Sequence, residues 1–201
     1  MPGGVKRSKG AKRTRPNILV TGTPGTGKTT LAKAIVEEGG ATAAGLARYS
    51  VGEMAREKGF LGEWDEGREC HVLEEEPLLD HMEALMARGG VVVDHHASDF
   101  FPERFFDIVF VLRTDTTLLH DRLMARGYNE AKLQENVQCE IFQTLLDEAR
   151  ESYAPERVHE LKSDSDQDRE ENVRRIKAWI EQWAVDNEAK KNRADCDDDD
   201  D

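Results

Sequence analysis

The chain has 201 residues, a formal net charge of -13 and only three cysteines. That length suffices for one globular domain with a sizeable core and no cross-links. Cys70, Cys139 and Cys196 are too widely spaced for a disulfide framework or a zinc cluster, and an acidic body disfavours nucleic-acid backbones while suiting a basic protein partner or a soluble metabolite.

Residues 1–16 carry Lys6, Arg7, Lys9, Lys12, Arg13 and Arg15 with no acid, which predicts a disordered basic arm. Such a run suits nuclear import, nucleic-acid contact or simple solubilisation. No apolar run is long enough to span a bilayer, and the N-terminus lacks the apolar segment of a secretory signal. The expected compartment is therefore cytosol or nucleus, with no membrane partner.

Asn17 to Leu31 reads as a short buried strand, a glycine-rich turn and the start of a helix. Gly22, Gly27, Lys28 and Thr29 fit the phosphate-binding loop pattern G-x-x-x-x-G-K-[ST]. Glycine lets the backbone bend tightly and approach phosphate, and the successive N–H groups with the helix N-terminus make an anion cradle. Lys28 is expected on the β- and γ-phosphates of ATP, and the Thr29 hydroxyl on Mg²⁺. The ATP-binding set is Gly25, Thr26, Gly27, Lys28, Thr29 and Thr30, joined by Arg122 and Arg126 below.

Leu31, Ala34 and Ile35 extend the helix to Glu38, and Gly39 and Gly40 end it. Leu46 to Tyr49 suits a second strand, and Ser50 with Glu53 suits a capping box opening a helix through Met54 to Arg56. Residues 57–76 are glycine-dotted and acidic, which predicts a mobile flap. A helix from Pro77 to Arg88 precedes a buried strand, Val91 to Asp94, and Ile108 to Leu112 is another. The helix after Thr114 is expected to bury Leu118, Leu119, Leu123 and Met124 and to break at Gly127. One long helix should run from Leu133 to Tyr153. A short strand over Arg157 to Leu161 and a helix over Asn172 to Val185 follow, the latter with Val173, Ile176, Ile180 and Trp183 as its apolar stripe. Residues 188–201 read as a disordered acidic tail.

Alternating strands and helices predict an α/β fold, with a parallel sheet covered on both faces and a ligand at the carboxyl ends of the strands. Asp94, after three valines, is placed to approach the metal directly or through water, since a buried carboxylate needs a cation or donors. His96, two residues on, is placed to orient water or phosphate or to move a proton. Arg122 and Arg126 share a helix face before the Gly127 break and would neutralise transferring charge. Arg56, before the flap, is the candidate for an acceptor phosphate.

The set Gly22 to Thr30, Asp94-His95-His96, Asp99 to Arg104, Val109 to Asp115, Arg126 to Glu130 and Asn136 to Phe142 resembles the adenylate kinase isoenzyme 6 family, over about residues 17–185. The resemblance implies a tyrosine where His95 stands and a Gly-Cys pair where Ala97-Ser98 stands. The resemblance implies a three-layer P-loop NTPase fold with about five parallel strands, a nucleoside-monophosphate segment near residues 50–73 and a short lid near 126–136, within a domain spanning 17–187. It implies ATP plus AMP giving two ADP with Mg²⁺, ATP hydrolysis, and a part in small ribosomal subunit (18S rRNA) maturation. Asp94 and His96 match its Asp-x-His element. The implied partners are AMP or another nucleoside monophosphate, a basic small-subunit ribosomal protein and the pre-ribosome; the implied location is nucleus and cytoplasm, and the expected state a monomer. Two other readings are an assembly ATPase with incidental kinase activity and a small-metabolite kinase of the same fold.

Overall fold

The computed structural model describes residues 13–67 and 70–197. At its centre is β1 (Ile18–Gly22), every residue of which is buried. Around it β2 (Ala47–Ser50), β5 (Val91–Asp94), β6 (Ile108–Arg113) and β7 (Val158–Lys162) make one sheet in the order β2-β5-β1-β6-β7. All four pairings are parallel. The expected five-stranded parallel sheet is thus present, and the carboxyl ends of β1, β5 and β6 lie together.

Alternation along β1 divides the core. Ile18 and Val20 face Leu31, Ile35, Ile176 and Ile180 of α1 (Lys28–Glu37) and α7 (Asp166–Asp197). Leu19 faces the other way, into a core with Met54 of α2 (Val51–Lys58), Met82 of α3 (Glu75–Arg88) and Leu146 of α6 (Thr144–Ser152). Burying one such aliphatic side chain contributes roughly 1.5–3 kcal/mol. Both faces of the sheet are therefore covered by helices, which leaves the carboxyl end of the strands open. A third, smaller cluster joins Leu119 and Leu123 of α4 (Thr116–Ala125) to Leu133 of α5 (Glu130–Ile141).

Several expectations are corrected. The basic arm was expected to reach residue 16. Residues 1–12 lie outside the described residues, but Arg13 pairs with Asp107 at 3.0 Å and Pro16 is buried. The acidic segment expected as a flap carries strands that the sequence reading did not assign: β3 (Leu61–Asp65) and β4 (Cys70–Leu73) pair as an antiparallel hairpin. Ser50 does cap α2 by position, yet its side chain makes no capping bond. Its intended partner Glu53 binds Arg48 instead, at 2.7 Å, because an ion pair outcompetes a neutral amide for a carboxylate.

The predicted Leu133 to Tyr153 helix is two helices. Gln143 adopts φ 58, and among the described residues it is the non-glycine residue with positive φ. That turn redirects the chain, leaving Ile141 and Phe142 54% and 71% exposed. Leu118 and Met124, expected inside, are exposed, because α4 packs only its Leu119–Leu123 edge. The last helix runs to Asp197, well beyond Val185 and into the expected tail; residues 198–201 lie outside the described residues.

Candidate active site

The turn after β1 needs glycine for geometric reasons. Gly22 has φ 134, and a Cβ there would sit 2.5 Å from the Leu112 carbonyl oxygen. Gly25 and Gly27 both have φ 97. The loop closes through Thr26, whose N–H and hydroxyl both donate to the Thr23 carbonyl. Its outer side is held by Ser163, which donates to the Thr26 carbonyl at 2.7 Å.

Lys28 curls back over this turn, with Nζ donating to the carbonyls of Gly22 at 2.7 Å and Thr23 at 3.0 Å. Its pKa is brought down to about 7, chiefly by burial and in smaller part by Arg126, against the opposing pull of Asp94 and Glu140. The loop thus stores an amine whose charge is costly until an anion arrives. Thr29 Oγ1 donates to Asp94 Oδ1 at 3.0 Å, and Asp94 is 5% exposed. These two hard oxygens at the loop mouth suit Mg²⁺, which takes one or two protein ligands and fills the rest with water and phosphate. Among the described residues no group of three or more His, Cys, Asp and Glu could form a closed metal cage.

Two cavities flank the loop. One, of about 420 Å³, is lined by Gly25, Thr26, Gly27, Thr30, Arg122 and Arg126 with the Ser163–Asp166 turn. The other, of about 290 Å³, is lined by Lys28, Thr29, Asp94, His96, Arg126 and Tyr128, with Ser50 and Gly52 on its far wall. Gly25, Gly27, Thr30 and Arg126 border both. A larger groove of about 730 Å³, between Met86 and Trp183, lies far from this chemistry and is lined by none of these residues.

His95 is held well below its usual pKa by burial, then by His96 and Lys28. His96 is lowered too, by desolvation of its ring and by Lys28, although the residue as a whole stays exposed and Asp99 opposes the shift. Both rings are neutral near pH 7, so neither adds positive charge to the cleft.

The structure therefore gathers every expected residue of the loop with Asp94, His96, Arg122 and Arg126. Arg122 is committed to framework, donating to the Ser163 carbonyl at 3.0 Å and the Asp164 carbonyl at 2.8 Å. Arg56 is not brought in: its Nε donates to the Gly52 carbonyl at 3.0 Å, it is exposed, and it lines neither cavity. Its helix is oriented by Val51 and Met54 in the core, which turns Arg56 outward.

Two residues escaped the sequence reading. Glu140, 2% exposed, accepts from the Thr23 hydroxyl at 2.5 Å, from Arg113 Nε at 2.7 Å and from the Thr114 N–H at 2.9 Å. It ties α5 to the phosphate loop. The signal available was an acid one turn from Val137 on an otherwise apolar face. Arg48 binds Asp94 Oδ2 at 2.6 Å. A charged residue inside a short predicted strand was its signal.

Comparison with known proteins agrees with this geometry. The family profile described as an AAA domain matches residues 18–143. The adenylate kinase isoenzyme 6 homolog of Caenorhabditis elegans is 52% identical over 166 residues, which cover 82% of this chain and 88% of that protein. The adenylate kinase isoenzyme 6 homolog of Drosophila melanogaster is 47% identical, covering 84% of this chain and 94% of its own. Among solved structures, shikimate kinase from Acinetobacter baumannii in complex with shikimate superposes with a TM-score of 0.54 at 21% identity, over 87% of this chain and 96% of that one. At that identity the likeness concerns the fold.

Proposed function

Because the chain belongs to the adenylate kinase isoenzyme 6 family, a family of P-loop kinases by its names and fold, we propose that it transfers the γ-phosphoryl group of ATP to AMP or another nucleoside monophosphate, and that it also hydrolyses ATP. One observation carries this reading: two cavities meet at one phosphate loop and share Arg126. A hydrolase needs room for one nucleotide, whereas an in-line transfer between nucleotides needs a donor side, an acceptor side and positive charge between them.

In this reading the 420 Å³ cavity receives the ATP nucleoside, and the loop amides with Lys28 hold its phosphates. Thr29 and Asp94 would hold Mg²⁺, and when bound it would supply charge neutralisation at the phosphoryl oxygens. An acceptor phosphate entering the second cavity attacks along the line of the leaving oxygen, and Arg126 meets the transferring charge. Neutral His96 orients the attacking oxygen or, without an acceptor, a water. Arg56 reaches the acceptor only if α2 turns; as it stands, Ser50 and Gly52 supply that wall. An acceptor panel tests this: turnover with ATP and each of AMP, CMP, UMP and GMP, beside shikimate, gluconate and a no-acceptor control. Stimulation by AMP supports the reading, and stimulation by an acid or sugar acid alone overturns it.

We further propose a second role, in small ribosomal subunit maturation through a basic ribosomal protein and the pre-ribosome, in nucleus and cytoplasm; the hairpin supports only its basic-partner part. Trp64 and Val72 are 54% and 52% exposed there, among Glu63, Asp65, Glu66 and Glu74. Capture of the purified basic protein that survives moderate salt supports the role; loss of all binding at physiological ionic strength counts against it.

A further inference from the structure

Arg48 connects two parts of the cleft that the proposed reaction treats separately. It lies on β2, the edge strand, whose register with β5 sets Ser50 opposite Asp94. Its guanidinium forks. Nη1 donates to Asp94 Oδ2 at 2.6 Å, and Nη2 donates to Glu53 Oε2 at 2.7 Å. The Arg48 and Asp94 side chains are 15% and 6% exposed, while Glu53 is 51% exposed. Glu53 sits in the first turn of α2, next to Gly52 on the wall of the acceptor-side cavity.

Each Asp94 oxygen thus already accepts one bond, Oδ1 from Thr29 and Oδ2 from Arg48, and any metal must take its remaining lone pairs beside the guanidinium. A divalent cation at Thr29 and Asp94 would share that carboxylate with a fixed guanidinium, and like charges sharing one small anion repel. Glu53, which Arg48 already binds through Nη2, is an anion closer to solvent that it can keep without Asp94. We propose that Arg48 is a positioning residue that competes with the divalent cation for Asp94, and that when the cation binds it gives up Asp94 and keeps its bond to Glu53. This rests on the assignment of Thr29 and Asp94 to the metal in the reading above.

The test is Mn²⁺ binding, followed by the electron paramagnetic resonance signal of free Mn²⁺, with the full chain and a non-hydrolysable ATP analogue, measured against the analogue without protein, which chelates Mn²⁺ on its own. Arg48→Gln keeps a donor but removes the charge; it tightens Mn²⁺ binding about fivefold or more, the low end of ordinary couplings between sites. Glu53→Gln, at an exposed position that leaves the fold intact, weakens binding by removing the alternative anion. In the Arg48→Gln background the same Glu53→Gln change has no effect, because Glu53 acts only through Arg48. Unchanged or weaker Mn²⁺ binding in Arg48→Gln overturns the proposal, as does strict additivity in the double variant, which would mean through-space charge alone. Failure of the unaltered protein with the analogue to bind Mn²⁺ at all is a different result: it removes the metal assignment itself.

Discussion

At the scale of single residues, the cleft is a set of charges held at a disadvantage until phosphate arrives. Lys28 is the clearest case, with its pKa brought down to about 7 by burial. Below that pH it is already charged in the free protein. Above it the amine is neutral, and bound polyphosphate restores the charge. ATP binding should therefore take up protons, little near pH 6 and approaching one per site by pH 8.5. Titration calorimetry in buffers of different ionisation enthalpy measures this, and Lys28→Met should abolish the uptake; an unaltered uptake would assign it elsewhere. Glu140 gives a stability prediction. Its removal leaves the Arg113 guanidinium half-buried without its near partner, and unsatisfies Thr23 and the Thr114 N–H. Glu140→Ala should cost about 3 kcal/mol in urea unfolding, as breaking a buried ion pair does. Lys28, Thr29 and Asp94 were legible in the sequence because loop chemistry fixes their spacing and a buried strand ending in acid is conspicuous. Glu140 and Arg48 were not, because their meaning lies in partners 117 and 46 positions away.

At the scale of elements, periodicity found the strands and most helices, since both faces of the sheet are buried and leave continuous apolar runs. It failed where a single backbone torsion decides. Residues 133–153 have helical spacing throughout, but Gln143 in the left-handed region divides them into α5 and α6. A side chain there is strained by about 1 kcal/mol, partly offset by the entropy that glycine adds to the unfolded chain. Gln143→Gly should therefore raise stability by roughly 0.5 kcal/mol; a loss would mean that the Gln143 side chain contributes more than its torsion costs. The β3–β4 hairpin was hidden for another reason. Its strands are short and mostly exposed, so neither carries the alternation that marks a half-buried strand.

At the scale of the whole molecule, the sheet order puts β1 between β5 and β6, and this places the phosphate loop beside Asp94 and the Arg113–Thr114 end of β6. That much follows from a parallel sheet, whose ligand must sit at the strand carboxyl ends. Which acceptor enters does not follow, because the same architecture carries unrelated acceptors. The net charge of -13 gives a prediction of its own. Association with a basic protein should weaken with salt chiefly through a slower on-rate, readable by stopped-flow between 50 mM and 300 mM salt; a salt-independent on-rate would assign the contact to apolar groups such as Trp64.

The central claim is that one phosphate loop serves a donor and an acceptor nucleotide. The most direct measurement follows the label from ATP carrying ³²P in its γ-phosphate, with and without AMP, in the unaltered chain and in Lys28→Ala. The account predicts that with AMP most of the label appears in the β-phosphate of newly formed ADP, that without AMP it appears slowly as inorganic phosphate, and that Lys28→Ala stops both. Label released only as inorganic phosphate, at a rate indifferent to AMP, would contradict it.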